Sequence, residues 1–355
     1  MNYIELFAGI GGFRKATDLL NQDFNTEFHC VGFSEINQYA LKTYEANYCL
    51  NGETRMGDII KFADTPSNIE QLKDFDLLLG GFPCQAFSMM GKKLGFEDER
   101  GSVLFSINEI LRIKKPRFVL LENVRHLIRH NDGETLNHIL EFFKEHGYQF
   151  RKTVVLDTQK FGLPQRRRRI FIVCCLHNIE IDLSENAIVS NFESIKSEIS
   201  LHQYSEVRDI LEKDVDKKYY LSERIKHTIL ANGTKNFKSN SQIDLNIART
   251  LTATMVKMHR ACQDNYYSDD FILRGESHKE TAKEILYKTP VRKLTPIEAL
   301  KLQGFDEVFY NNAREKGVSE HQLYIQTGNA LSVNTGYSLL HYLFVAQKTL
   351  PIVSL

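Results

Sequence analysis

Short apolar runs alternate with amphipathic segments through the first half of this 355-residue chain. The apolar runs predict strands at residues 3–7, 28–33, 75–79, 118–121, 154–156 and 170–176. The amphipathic segments predict helices at residues 13–20, 38–47, 102–113 and 135–146. Continuous apolar runs suit strands that are buried on both faces. The pattern therefore predicts an α/β fold with a mostly parallel sheet covered by helices, and a ligand site near the carboxyl ends of the strands.

Apolar residues become sparser after residue 178, and the polar segments 231–236 and 238–241 are typical of exposed loops. Residues 334–347 again have the pattern of a packed helix. We therefore expect one domain built from residues 1–178 and 318–355. A smaller, irregular domain with its hinge is expected at residues 179–317.

The composition excludes several classes of protein. Apolar residues make up 42% and charged residues 25% of the chain, which argues against a largely disordered protein. The chain has neither a long uncharged apolar stretch nor a signal-peptide pattern at its N-terminus, so we expect a cytoplasmic protein without a membrane span. The 45 basic and 45 acidic residues cancel, so any attraction to nucleic acid must come from local patches. Six cysteines without a C-x-x-C pair predict neither a disulfide scaffold nor a metal site.

A glycine-rich turn at residues 7–12 follows the first predicted strand. Glycines at this position let the backbone approach a ligand closely. A dinucleotide fingerprint would need a third glycine where Arg14 stands, which weakens an oxidoreductase interpretation. Glu35 ends the next strand and can accept hydrogen bonds from ribose hydroxyls, and Asp58 could bind an adenine amino group. Each of these residues could equally be an ordinary turn or surface residue.

The segment after the third predicted strand places a cysteine in a turn, directly after a proline. Pro83 restricts the backbone ahead of Cys84, which would then lie at the open end of the sheet. Most free cysteines are small buried hydrophobes, but a position in a turn favours a thiolate nucleophile. Glu122 follows the strand at residues 118–121 and should face the same edge, where it could transfer a proton.

Four consecutive arginines precede the last predicted strand of this half. Such a run is ordinarily a solvated face or a phosphate contact. Alternation along a strand would send Arg167 and Arg169 to one side, and Arg166 and Arg168 to the other.

Together these segments resemble the DNA (cytosine-5) methyltransferase family of the bacterial restriction-modification type, over nearly the whole chain. The resemblance rests on segments in a fixed order: residues 7–12, 82–85 and 122–124, then Gln165 with Arg167 and Arg169, then residues 249–254, 302–305 and 328–330. It implies a Rossmann-like domain dependent on S-adenosylmethionine at residues 1–178 and 318–355. Residues 179–317 would then be the target-recognition domain and hinge.

The resemblance implies transfer of a methyl group from S-adenosyl-L-methionine to carbon 5 of a flipped-out cytosine in a specific duplex DNA sequence, leaving S-adenosyl-L-homocysteine. Cys84 would add to carbon 6 while Glu122 binds and protonates ring nitrogen 3. Arg169 would hold the cytosine carbonyl oxygen, and Arg167 would order the catalytic loop or a phosphate. No metal is implied.

The residues that would bind the cofactor also follow from the resemblance. Ile36 stands where many members have a larger aromatic residue, so adenine stacking on that face would be weaker. The implied cofactor-binding residues are Phe7, Gly9, Gly11, Gly12, Glu35, Ile36, Asp58, Ile59, Pro83 and Asn329.

The partner implied by the resemblance is double-stranded DNA, together with a possible cognate restriction endonuclease, and a monomer would suffice. Residues 88–101 have the pattern of a glycine-hinged lid, in which Met90 could wedge into the gap left by the flipped base or simply pack under the loop. The implied DNA-binding residues are Gln85, Ser88, Met90, Lys92, Arg100, Arg249 and Thr250.

Two alternatives keep the same fold. One branch of this family modifies transfer RNA, although the sizeable region between Arg169 and Arg249 favours a DNA target. A catalytically silent nucleic-acid-binding regulator is the other, and the presence of Cys84, Glu122, Arg167 and Arg169 argues against it.

Overall fold

The computed structural model describes residues 1–82, 103–234, 236–278 and 283–347. Seven predicted site residues lie outside the described residues: Pro83, Cys84, Gln85, Ser88, Met90, Lys92 and Arg100. The chain divides into two compact units, which are described separately. The first unit comprises Met1–Asp157, Arg168–Leu201 and Thr335–Leu355, and the second comprises Thr158–Arg167 and His202–Asn334.

The first unit is built on a seven-stranded sheet with the order β3-β2-β1-β4-β5-β8-β6. Its strands are β1 (Asn2–Leu6), β2 (His29–Phe33), β3 (Thr54–Arg55), β4 (Leu77–Gly81), β5 (Phe118–Val124), β6 (Phe150–Asp157) and β8 (Arg168–Cys175). The first five are parallel, and β8 is antiparallel to both β5 and β6. The predicted mostly parallel α/β sheet is thereby confirmed. The two-residue β3 was not predicted, because it is too short to produce an apolar run.

The helices of this unit are α1 (Gly12–Phe24), α2 (Gln38–Asn47), α3 (Ile59–Ala63), α4 (Pro66–Glu70), α5 (Val103–Lys114), α6 (Glu134–Glu145), α7 (Glu185–Ile195) and α14 (Val333–His341). Five of them, α1, α2, α5, α6 and α14, lie at the predicted places, whereas α3, α4 and α7 were not predicted. Side-chain caps fix three of the starts, since Asn37, Asp58 and Ser184 accept hydrogen bonds from the first turns of α2, α3 and α7. Gly147, at φ 87°, follows α6 in the left-handed conformation that ends many helices.

The main core of the first unit lies where the sheet meets α3, α5 and α6. Its sheet face is contributed by apolar side chains from β1, β4, β5 and β8, which are almost completely buried: Ile4, Leu6, Leu78, Val119, Leu121, Ile170, Ile172 and Cys174. Burial of this kind is the main stabilising contribution to a fold of this size. The carboxyl ends of the parallel strands are therefore held by a rigid layer.

The second unit contains short elements, as expected for the irregular part of the chain. Its strand pairs are β7 (Gln165–Arg166) with β11 (Ala248–Arg249), β9 (Gly233–Thr234) with β10 (Phe237–Lys238), and β12 (Tyr266–Ser268) with β13 (Val291–Lys293). Its helices are α8 (Glu223–Leu230), α9 (Asp269–Arg274), α10 (Lys283–Leu286), α11 (Pro296–Lys301), α12 (Glu307–Glu315) and α13 (Glu320–Asn329). None of the described helices of either unit is long and apolar enough to cross a membrane.

The division between the units differs from the predicted boundaries at 178 and 318. Helix α7 packs against β6, and His341 Nδ1 donates to Asn191 Oδ1 at 2.8 Å, which keeps the chain up to Leu201 with the sheet. Helix α13 packs against α11 within the second unit. The boundaries are therefore corrected to 201 and 334, and Thr158–Arg167 also belongs to the second unit.

Candidate active site

An ion pair joins two of the predicted catalytic residues at the carboxyl end of β5. Arg169 Nε lies 3.0 Å from Glu122 Oε1, and the two side chains are only 16% and 14% exposed. The antiparallel pairing of β5 with β8 produces this contact, because it sets Val124 opposite Arg169 and Glu122 opposite Phe171. A mostly buried, charge-paired carboxylate at a sheet edge is a common feature of catalytic sites.

The backbone that leads into Pro83 and Cys84 begins beside this ion pair. Gly81 is the register partner of Glu122 in the β4–β5 pairing, and a Cβ atom on Gly81 would lie 3.5 Å from Glu122 Oε2. Asn123, 2% exposed, donates from Nδ2 to the carbonyl oxygen of Phe82 at 3.0 Å. Asn123 thus fixes the last described residue before Pro83. Sequence reasoning did not single it out, although a polar residue directly after an apolar strand was the available signal.

The glycine-rich turn after β1 has a strained backbone at Phe7. Its φ of 55° is in the left-handed region, where a bulky residue costs about 1–3 kcal/mol. Hydrogen bonds to the end of β2 hold this geometry: Ser34 Oγ accepts from the Phe7 amide at 3.1 Å and Glu35 Oε2 from the Gly9 amide at 2.8 Å. Glu35 Oε1 also accepts from the Asn37 amide at 2.6 Å. The predicted residues of this turn and Glu35 therefore lie together.

The glycines of this turn differ in what surrounds them. Gly9, at φ 57°, has no atom within 4 Å of the position that a Cβ would occupy, so its exposed face is open to a ligand. A Cβ on Gly11 would lie 2.4 Å from the ring of Tyr48, whose hydroxyl donates to Gly11 O at 2.6 Å. Gly11 is therefore required by ring packing, whereas Gly12 begins α1 and is buried.

The remaining predicted cofactor residues of the first unit lie after β2 and β3. Ile36, next to Glu35, is 69% exposed, which is unusual for a large apolar side chain. Asp58 caps α3, with Oδ1 accepting from the Ile60 amide at 3.0 Å. The side chain of Ile59 is 3% exposed and packs in the core. Only backbone groups of Ile59 can therefore face a ligand.

Arg167 belongs to the second unit, where its guanidinium is bound by backbone carbonyls. It is 2% exposed and donates to the carbonyl oxygens of Leu251 at 2.9 Å, Gly328 at 3.2 Å and Ala330 at 2.8 Å. Gln165 Oε1 accepts from the amide of the same Leu251 at 2.9 Å. Burial alternates along the predicted run, since Arg166 and Arg168 are exposed while Arg167 is buried and Arg169 is half-buried. Arg167 is thus a positioning residue for the segment around Leu251.

The other predicted site residues of the second unit each have a different environment. Arg249 is half-buried, and its Nη1 donates to Gln242 O at 3.2 Å. Thr250 Oγ1 donates to Arg166 O at 2.6 Å. Asn329 is exposed at the end of α13. Within the described ranges, no group of three or more His, Cys, Asp or Glu side chains could hold a metal ion.

Comparisons with known proteins connect this geometry to one family. The model of the family described as C-5 cytosine-specific DNA methylase matches residues 1–344. Type II methyltransferase M1.ScrFI of Lactococcus lactis subsp. cremoris is 34% identical over 354 residues, which cover 99% of this chain and 78% of that protein. Type II methyltransferase M.NlaX of Neisseria lactamica is 35% identical over 334 residues, covering 93% and 92%.

A solved structure shares the fold. The S. pombe Dnmt2 methyltransferase superposes with a TM-score of 0.70 at 19% identity, covering 97% of this chain and 98% of the other. The motif order, the strand-end geometry and these matches lead to one conclusion: the chain belongs to the C-5 cytosine-specific DNA methylase family.

Proposed function

We propose that this protein methylates carbon 5 of a flipped-out cytosine within a specific sequence of duplex DNA, through a covalent bond between Cys84 and carbon 6. The observation that carries the proposal is the Glu122–Arg169 ion pair, which lies beside the backbone leading into Pro83 and Cys84. The target carbon is inaccessible in a stacked duplex, so the base must leave the helix.

The proposed chemistry assigns one task to each residue. The Cys84 thiolate adds to carbon 6, and Glu122 places a proton on ring nitrogen 3, so that the electron pair of the new enamine is available at carbon 5. Arg169 donates hydrogen bonds to the carbonyl oxygen at position 2. Carbon 5 takes the methyl group, which releases S-adenosylhomocysteine. A solvent water then accepts the proton from carbon 5, the carbon–sulfur bond breaks to release the thiolate, and ring nitrogen 3 returns its proton to Glu122, which restores the aromatic ring.

The turn after β1 supports S-adenosylmethionine as the methyl donor. The open face at Gly9, the strained Phe7 and the exposed Ile36 together offer an apolar and backbone-lined surface next to the Glu35 carboxylate. S-adenosylmethionine, when bound, supplies an electrophilic methyl group. Phe7 and Ile36 would contact adenine, and Glu35 would accept from the ribose hydroxyls while keeping the loop in place. Pro83, Gly11, Gly12, Asp58, Ile59 and Asn329 complete the proposed cofactor set.

The biological role that we propose is protection of host DNA in the cytoplasm against a cognate restriction endonuclease. Its basis is the likeness to proteins named type II methyltransferases. We propose that the first unit carries out methyl transfer as a monomer and that the second unit reads the DNA sequence. The proposed DNA contacts are Gln85, Ser88, Met90, Lys92, Arg100, Arg249 and Thr250.

The test is trapping of the proposed covalent intermediate. Genomic DNA from expressing cells is first sequenced after bisulfite conversion to find the modified site. A duplex with 5-fluorocytosine at that site is then incubated with protein and methyl donor. Because fluorine cannot leave as a proton does, we expect an adduct that resists denaturant in the wild type and none in Cys84→Ser.

The outcomes separate the alternatives. Methylation of transfer RNA but not of duplex DNA would favour the RNA-modifying branch. Sequence-specific DNA binding without methylation would favour a regulator. Methylation of duplex DNA without an adduct through Cys84 would contradict the covalent mechanism.

A further inference from the structure

Two arginines are register partners on neighbouring strands of the second unit. In the parallel pairing of β7 with β11, Arg166 lies directly opposite Arg249. Opposed residues on paired strands point to the same face, with backbones about 4.8 Å apart. Like charges in such positions repel each other. A negative charge bound near this pair would relieve the repulsion.

The protein supplies part of that charge, since the nearby Asp264 carboxylate acts to raise the pKa of Arg249. In the part of the chain that the structure describes, neither guanidinium forms an ion pair with a carboxylate; Arg249 donates to the backbone oxygen of Gln242 instead. Arg168, the next exposed arginine along the chain, does form an ion pair: its Nε lies 2.8 Å from Asp157 Oδ2. Burial lowers the pKa of Arg249, so its positive charge is already partly desolvated.

The pair lines a cleft of about 570 Å³ within the second unit. Gln242 and Asn246, whose amide side chains can hydrogen-bond, line the same cleft. Asp244 is the acidic residue of the lining, but its carboxylate accepts from the Ser268 amide and hydroxyl and from the His278 amide. These bonds hold the carboxylate in place, and two guanidiniums against this one carboxylate leave the lining with a net positive charge.

We propose that Arg166 and Arg249 together bind one backbone phosphate of the DNA substrate in this cleft. Two guanidiniums on adjacent strands suit the several oxygens of one phosphodiester, because each can donate two parallel hydrogen bonds. A phosphate contact fixes the register of the protein on DNA and carries no sequence information. The proposal rests on the proposed DNA-methylating function. It adds to that function a phosphate site that positions the DNA, and Arg166 of this site lies three residues before Arg169 along the chain.

The experiment measures binding of a cognate duplex at several salt concentrations. The double variant, Arg166→Gln with Arg249→Gln, should reduce the slope of log Kd against log salt by about 0.9, the value for one phosphate contact. Each single variant should lose less than the double variant, because the remaining arginine still contacts the shared phosphate. Arg168→Gln is the matched control and should keep the wild-type slope, since Arg168 already pairs with Asp157.

A second measurement identifies the phosphate by its position in the duplex. Each phosphate of the duplex is replaced in turn by an uncharged methylphosphonate. Wild-type protein should lose affinity at one position to which the double variant is insensitive, and Arg166→Lys with Arg249→Lys should regain the sensitivity. An unchanged slope in the double variant, a loss of about 1.8 as for two separate contacts, or no insensitive position would overturn the inference. Failure of the wild type to bind or methylate duplex DNA would instead overturn the proposed function.

Discussion

Arg167 and Arg169 lie on either side of Arg168 in the sequence, yet their side chains bind different kinds of hydrogen-bond acceptor. Arg169 pairs with a carboxylate at the edge of the sheet, whereas Arg167 donates to three carbonyl oxygens and is buried. The guanidinium group has five donors in a rigid plane, so it can bridge several backbone segments at once. We infer that Arg167 supports the site through the Leu251 segment and Arg169 through direct contact with the base.

Replacing Arg167 should therefore cost stability. In Arg167→Gln, the carbonyls of Leu251, Gly328 and Ala330 lose their donors in a buried setting, and we expect the free energy of unfolding to fall by at least about 2 kcal/mol. Arg168→Gln removes an ion pair between a half-exposed arginine and the mostly buried Asp157 and should cost less, about 1 kcal/mol. Urea denaturation followed by circular dichroism measures both values, and equal losses would contradict this account.

At the scale of elements, the turn between β1 and α1 depends on the end of α2. Tyr44 and Tyr48 lie with ring centroids 4.7 Å apart, and Tyr44 stacks on Phe33 of β2 at 4.5 Å. This aromatic group leaves room at Gly11 for a hydrogen atom only. The conformation of the turn is therefore determined by packing against the rings of Tyr44 and Tyr48 as well as by its own glycines.

Alanine substitutions at two glycines distinguish the stability cost of side-chain overlap from the stability cost of backbone strain. Gly11 and Gly52 both have positive φ, 81° and 90°, but nothing lies within 4 Å of a Cβ on Gly52. Gly52→Ala should cost about 1–2 kcal/mol from the left-handed backbone alone. Gly11→Ala should cost about 1–3 kcal/mol more, because the methyl group overlaps Tyr48. Thermal unfolding of both variants gives the comparison, and similar melting temperatures would refute the packing argument.

At the scale of the whole molecule, a buried acid lies in the sheet. Glu5 is on β1, which has β2 and β4 on either side, and it is 2% exposed. Burial raises the pKa of its carboxyl from about 4.5 to about 8, while the nearby Arg14 guanidinium acts in the opposite direction. Near pH 7 the folded protein therefore holds a proton on Glu5 that the unfolded chain has released.

This difference predicts how stability depends on pH. Between pH 4.5 and pH 8 the folded state binds more protons than the unfolded state, so the contribution of Glu5 to stability falls as pH rises through that window. Its slope reaches at most about 1.4 kcal/mol per pH unit. Glu5→Gln should remove this part of the slope in urea denaturation series at pH 5, 6, 7 and 8. A variant whose slope equals that of the wild type would show that Glu5 titrates normally.

Much of the architecture follows from local pattern. All strands of the first unit except β3, and its helices α1, α2, α5, α6 and α14, were predicted because apolar runs and amphipathic periods depend only on neighbouring residues. Glu122 was predicted to lie at the open edge of the sheet because residues at the carboxyl ends of parallel strands share one edge. Alternation along the strand separated Arg169 from Arg168, but only the resemblance to the family assigned Arg169 to the site.

Other features required the tertiary structure, because they join residues that are far apart along the chain. Leu251, which binds Arg167, is 84 residues away from it, and no local pattern relates the two. The same holds for the ring of Tyr48 against Gly11, for Arg249 opposite Arg166, and for the unit boundaries at 201 and 334. Sequence by itself determined which elements form and which chemical groups end the strands. Only packing and strand register decided which of those groups meet, since both depend on the whole chain being folded.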